Sequence, residues 1–116
     1  MRKIVTLLGI VVALAIPTVA LAATLDTGKF GDLIAAGDAC EDGAFYHFVN
    51  NQTGGAAAGT LTTVFDPAGQ DPANPVSPYM VLQNVQHFSV FSEGELISAV
   101  STLPGKLVLS DVACKK

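Results

Sequence analysis

Leu107-Val108-Leu109-Ser110-Asp111-Val112-Ala113-Cys114 stands two residues before the end of the chain. It alternates with the period of a β-strand and finishes on one of only two cysteines. The other, Cys40, opens Cys40-Glu41-Asp42-Gly43-Ala44-Phe45-Tyr46-His47-Phe48-Val49, a turn followed by a second alternating run. A bond between the two sulfurs would tie the last strand to the first well-formed one and enclose everything between. By strict alternation Leu107, Leu109 and Ala113 share one side, and Val108, Val112 and Cys114 the other, so the strand reads as covered on both faces. Asp111 is then the odd residue. It is expected at an edge, or paired with a polar partner such as His47 or His87.

The cysteine pairing follows from the compartment. Arg2 and Lys3 form a basic segment, Ile4 to Ile16 an apolar run, and Ala20-Leu21-Ala22 a small-residue cleavage site. Residues 1–22 therefore read as a secretory signal peptide. The apolar run is shorter than the roughly 20 residues that a membrane span needs. Two cysteines in an exported chain form one disulfide. With 73 residues between them, loop entropy puts its stabilising effect at about 4 kcal/mol. A catalytic thiol would need a nearby base, and none stands beside Cys114 in the sequence.

Cleavage after Ala22 leaves Ala23 to Lys116, 94 residues, the size of one small domain whose core is marginal without a staple. This part carries four lysines, no arginine and ten acids, a net charge of −6 with neutral histidines. Such a surface repels phosphate backbones, so nucleic acid is excluded as a partner. No membrane contact is expected after signal cleavage.

Residues 23–39 mix Leu25, Phe30, Leu33 and Ile34 with Gly28, Gly31 and Gly37. The glycines argue against a helix, and the segment reads as a loose N-terminal arm with an edge strand at most. Ala44 to Asn50 reads as a strand with aromatics on both faces, hence central and covered on both sides. Asn51 to Gly59 is a loop of small residues, too featureless to pack. Thr60 to Phe65 alternates again, with Leu61, Thr63 and Phe65 on one face. The proline-rich segment through Pro78 cannot be a central strand and reads as a crossover between sheets. Tyr79 to Leu82, Val85 to Phe91, Leu96 to Leu103 and Leu107 to Cys114 complete the strands; Ile97, Ala99 and Leu103 are placed on one face. Short strands separated by frequent turns predict an all-β fold, a small antiparallel immunoglobulin-like β-sandwich of about six to eight strands. The competing architecture is a partly open β-barrel. The disulfide-closed domain is expected over residues 40–116.

Few residues suggest chemistry. Asp26-Thr27-Gly28 matches the tripeptide of aspartic proteases, but no strand precedes it and Lys29 follows it; a turn explains it better. His47 and His87 lie inside alternating strands with no ligand-spaced neighbour, which favours packed, hydrogen-bonded rings over metal ligands or bases. Asp38, Glu41 and Asp42 fit no calcium-loop spacing. Asn51-Gln52-Thr53 is a glycosylation sequon. No catalytic, cofactor-binding or metal-binding residue is assigned, and no cofactor. Tyr46, Tyr79 and Phe91 are the candidates for stacking on a ligand.

Cys40, Phe45-Tyr46-His47-Phe48-Val49, Gly59-Thr60-Leu61-Thr62, His87-Phe88-Ser89-Val90, Leu96-Ile97-Ser98-Ala99 and Leu107 to Cys114 together form a familiar order. Over residues 40–114 it resembles a small disulfide-closed β-sandwich module of secreted and wall-attached proteins of actinobacteria and related bacteria. That module usually has tryptophan where this chain has Tyr46, and histidine where it has Asp111. The resemblance implies fold and compartment and transfers no catalytic residue. The expected function is surface interaction, adhesion or extracellular assembly without catalysis, with a protein, a glycan or a second copy as partner. A glycan- or small-ligand-binding module is the alternative, and a secreted enzyme ranks last.

Overall fold

The computed structural model describes residues 22–116; the signal-peptide reading lies almost wholly outside them. The chain runs β1 (Ala23–Thr24), α1 (Gly31–Asp38), β2 (Ala44–Asn51), β3 (Leu61–Asp66), β4 (Met80–Val81), β5 (Val85–Ser92), β6 (Glu95–Ser101) and β7 (Lys106–Cys114). The strands form two antiparallel sheets, ordered β1-β6-β3 and β4-β5-β2-β7. The sheets do not close on one another, so the fold is a small β-sandwich.

Alternation builds the core. Ala44, Tyr46 and Phe48 of β2, Phe88 and Val90 of β5, and Leu107 and Leu109 of β7 point inward from the larger sheet. They meet Leu61 and Phe65 of β3 and Leu96 and Ala99 of β6. β2 is central within its sheet but covered on one side only. Phe45 on its outer face is 47% exposed, which corrects the expectation of a doubly covered strand.

Two register shifts set which side chains reach this core. Between His47 and Phe48, β2 passes from pairing with Asp111 to pairing with Leu109, so Ser110 is the extra residue. The bulge reverses the alternation of β7. Leu107 and Leu109 are buried, Val112 packs on the same core, and Ala113 faces out beside Phe45. A second shift, between Val64 and Phe65, makes Ile97 the extra residue of β6. Ile97 is consequently 46% exposed and does not share a face with Ala99.

Residues 23–39 are not a loose arm. β1 pairs with β6, Leu25 N donates to Ala99 O at 2.9 Å, and Ala23, Leu25 and Ile34 are core residues. The helix α1 packs on β7, β6 and β2 and so bridges the two sheets. Tertiary packing overrides the low propensity of its glycines. Gly37 is needed for the fit, because a Cβ there would overlap the Tyr46 ring.

The segment from Pro67 to Tyr79 crosses from β3 to β4, as expected of it. On the way it covers the free edge of β3. Val76 exchanges both backbone hydrogen bonds with Leu61, and the Asn74 side-chain amide reproduces that pattern with Thr63, donating to its O at 2.7 Å and accepting from its N at 3.0 Å. Asp71 then exchanges both backbone bonds with Phe91. An open sheet edge is thereby closed to pairing with other chains. The loop 51–59 is also more ordered than its composition suggests. Gln86, fully buried, accepts from Gly59 N at 3.0 Å and donates to Ala56 O and Ala57 O.

Cys40 and Cys114 form the disulfide, with Cα atoms 5.3 Å apart. It joins the turn after α1 to the end of β7.

Candidate functional site

The outer face of the four-stranded sheet gathers most of the chain's chemically able side chains. In the β2–β5 pairing Val49 stands opposite His87 and His47 opposite Ser89, so the two imidazoles are diagonal neighbours. His47 Nε2 and His87 Nδ1 are 3.1 Å apart. Their ring planes differ by 14° and their centroids lie 5.3 Å apart. That separation, with the nitrogens in contact, means that the rings meet edge to edge through a shared hydrogen.

Two further groups converge on His47. Tyr79 sits beside β5, where its N donates to His87 O at 2.9 Å, and its hydroxyl reaches over to His47 Nε2 at 2.7 Å. From the other flank the Ser110 hydroxyl lies 2.9 Å from His47 Nδ1 and donates weakly to His47 O at 3.4 Å. The β7 bulge aims Ser110 here. With Ser110 accepting from Nδ1–H, the lone pair of His47 is at Nε2, facing Tyr79 and His87. Burial depresses the pKa of His47 below the usual imidazole value, and the neighbouring His87 lowers it further; the Asp111 carboxylate opposes both. The ring is therefore neutral at pH 7.

Asp111, expected at an edge or paired with a histidine, lies exposed on the edge strand β7 as the register partner of His47, and the hydrogen bond to the ring belongs to Ser110. Of the three candidate stacking residues, Tyr46 is fully buried and offers no platform, a correction with a simple cause: it points inward from β2. Burial and the charges of Asp38 and Glu95 raise its pKa. Tyr79 is 58% exposed. Phe91 is half-buried, tilted against Phe45 at 5.1 Å, with Lys115 Nζ over its ring. Beside it a cavity of about 250 Å³ is lined by Gly69, Gln70, Asp71, Phe91, Ser92 and Glu93 among others.

Asp26 accepts from the backbone N of Gly28 and Lys29, a local turn. Among the described residues no three His, Cys, Asp or Glu side chains gather as a metal site, Asp38, Glu41 and Asp42 included. Phe45 and Ser110 were not singled out by the sequence, although the alternation of β2 already sets Phe45 beside His47.

Compared with protein-family models, with curated proteins and with solved structures, the chain gives no match.

Proposed function

We propose that this is an exported, non-catalytic β-sandwich module that works by surface contact, through the outer face of its four-stranded sheet. One observation carries the reading. On that face and its β4 rim Phe45, Tyr79, Met80, Val81 and Leu82 are each between 45 and 58% exposed, around the hydrogen-bonded pair His47 and His87. Singly exposed apolar residues are ordinary, but a group of them on one side marks a contact surface. The partner is a protein at the cell surface or a second copy of the chain. Export is supported by the basic, apolar and small-residue order of residues 1–22 and by the disulfide. Among the described residues no helix is long and apolar enough to cross a membrane.

The test combines export, assembly and adhesion. Mass spectrometry of the culture medium should find the chain lacking 22 residues and two hydrogens. Light scattering and retention on the producing cells should reveal self-association or attachment, weakened by Phe45→Ser with Leu82→Ser. A monomer that no cell surface retains, or a variant that binds like the wild type, would sink the reading.

The cavity beside Phe91 favours a second reading, recognition of a glycan or small polar ligand. An aromatic wall with Gln70, Asp71 and Glu93 around it provides one apolar surface and several polar contacts. Glycan-array binding lost in Phe91→Ala, with the disulfide still formed, would favour it.

A further inference from the structure

From the donor atoms around His47 we infer that His47 Nε2, His87 Nδ1 and the Tyr79 hydroxyl oxygen form a binding site for one divalent transition-metal ion, copper(II) above zinc(II). This goes beyond the proposed surface contact and does not depend on it. The first ground is spacing. Metal–nitrogen bonds of about 2.0–2.1 Å place two donors on one ion roughly 3 Å apart. Here His47 Nε2 lies 3.1 Å from His87 Nδ1 and 2.7 Å from the Tyr79 oxygen. The second ground is the donor set. Two imidazoles suit copper and zinc, and copper(II) binds such a site most tightly among the divalent first-row ions. A phenol oxygen that loses its proton adds a charged third donor.

The third ground is orientation. A metal-binding histidine uses its other nitrogen to hold its ring in place. His47 does so with Ser110, at 2.9 Å from Nδ1. In the metal-free protein the two rings share a hydrogen edge to edge. An ion replaces it when both rings swing about χ2, a torsion with broad wells, until their lone pairs meet at one point. The open sheet face leaves them room, since both histidines are only half-buried and Tyr79 is exposed. The negative charge of Asp111, opposite His47 on β7, favours a cation there.

Copper(II) chloride titrated into the disulfide-bonded protein tests the site by electron paramagnetic resonance and visible absorption. The expected result is one copper per chain, nitrogen couplings from two imidazoles, and a phenolate-to-copper absorption band. His47→Ala and His87→Ala should each lose the two-imidazole signature. Tyr79→Phe should keep it and lose the absorption band, and Ser110→Ala should weaken binding about tenfold. Circular dichroism checks that the variants fold, as outward-facing substitutions should. A wild-type copper signal with couplings from fewer than two imidazoles would overturn the site. So would equal copper affinity in the wild type and the double alanine variant, because binding would then lie elsewhere, for example at the chain's N-terminal amine.

Discussion

The ring of Tyr46 lies directly against the backbone of Gly37, where helix α1 reaches β2 of the larger sheet. A Cβ at position 37 would come within 2.7 Å of Tyr46 Cζ and 2.8 Å of Cε2. Helix propensity alone favours alanine there by up to about 1 kcal/mol. The ring is fully buried and cannot retreat, so overpacking wins. Gly37→Ala should destabilise the fold by about 1–3 kcal/mol, read as a lower urea midpoint at unchanged slope. Tyr46→Phe removes a buried hydroxyl that has no hydrogen-bond partner. It should be neutral or mildly stabilising, and an unfolding midpoint well below wild type would contradict the packing described.

Much of this was legible before the structure, and the misses have definite causes. Phe45 to Asn50 and Leu61 to Phe65 alternate without interruption, and both bury the residues that alternation assigns to one face. β6 and β7 were misread because Ile97 and Ser110 are bulge residues, and one extra residue sends every later side chain to the opposite face. Neither carries the glycine that sometimes marks a bulge. α1 was missed because Gly31 and Gly37 weaken its propensity, while the contact that requires Gly37 comes from Tyr46, in another element. The histidine cluster was illegible for a related reason. Only the β2–β5 register brings His47 and His87 together, and it depends on turns and crossovers between them.

Gln86 is the hidden support of the loop 51–59. Its fully buried side chain serves Gly59 N, Ala56 O and Ala57 O. Gln86→Leu keeps the volume but leaves these backbone groups unpaired, at about 1–3 kcal/mol for a buried group left without its bond. Hydrogen exchange should speed up at the Gly59 amide, with protease cleavage appearing between Gly54 and Gly59. Unchanged protection of that amide would show that the loop holds itself.

Stability should fall on both sides of neutrality, for opposite reasons. His47 has a depressed pKa in the folded state, so between that value and about 6.5 the unfolded chain binds more protons. Folding stability in the presence of a chelator should therefore drop as pH falls below about 6.5. His47→Gln should flatten that slope. Asp111→Asn should steepen it, since the carboxylate is the one neighbour favouring the charged ring. Tyr46 has a raised pKa when folded, so stability should also decline as pH rises through about 10, where the unfolded phenol ionises first. Tyr46→Phe should remove that alkaline loss. Denaturant midpoints across pH for the four proteins decide the matter.

The bulge at Ser110 is a local insertion that leaves the pairing on either side of it in step. His47 pairs with Asp111 and Phe48 with Leu109, so Ser110 alone in this stretch of β7 has no partner on β2. Deleting it would set Asp111 directly after Leu109 and restore plain alternation, with Leu107, Leu109, Val112 and Cys114 on the faces that they already occupy. Cys114 would still stand opposite Ala44, where its Cα lies 5.3 Å from that of Cys40. The deletion should therefore keep the disulfide and cost about 1 kcal/mol or less, as a change at an exposed position does. What it removes is the hydroxyl that holds His47 Nδ1. Free-thiol titration after oxidative refolding, with a urea midpoint, checks this. Two reactive thiols, or a large fall in the midpoint, would show that β7 needs its bulge to close the chain.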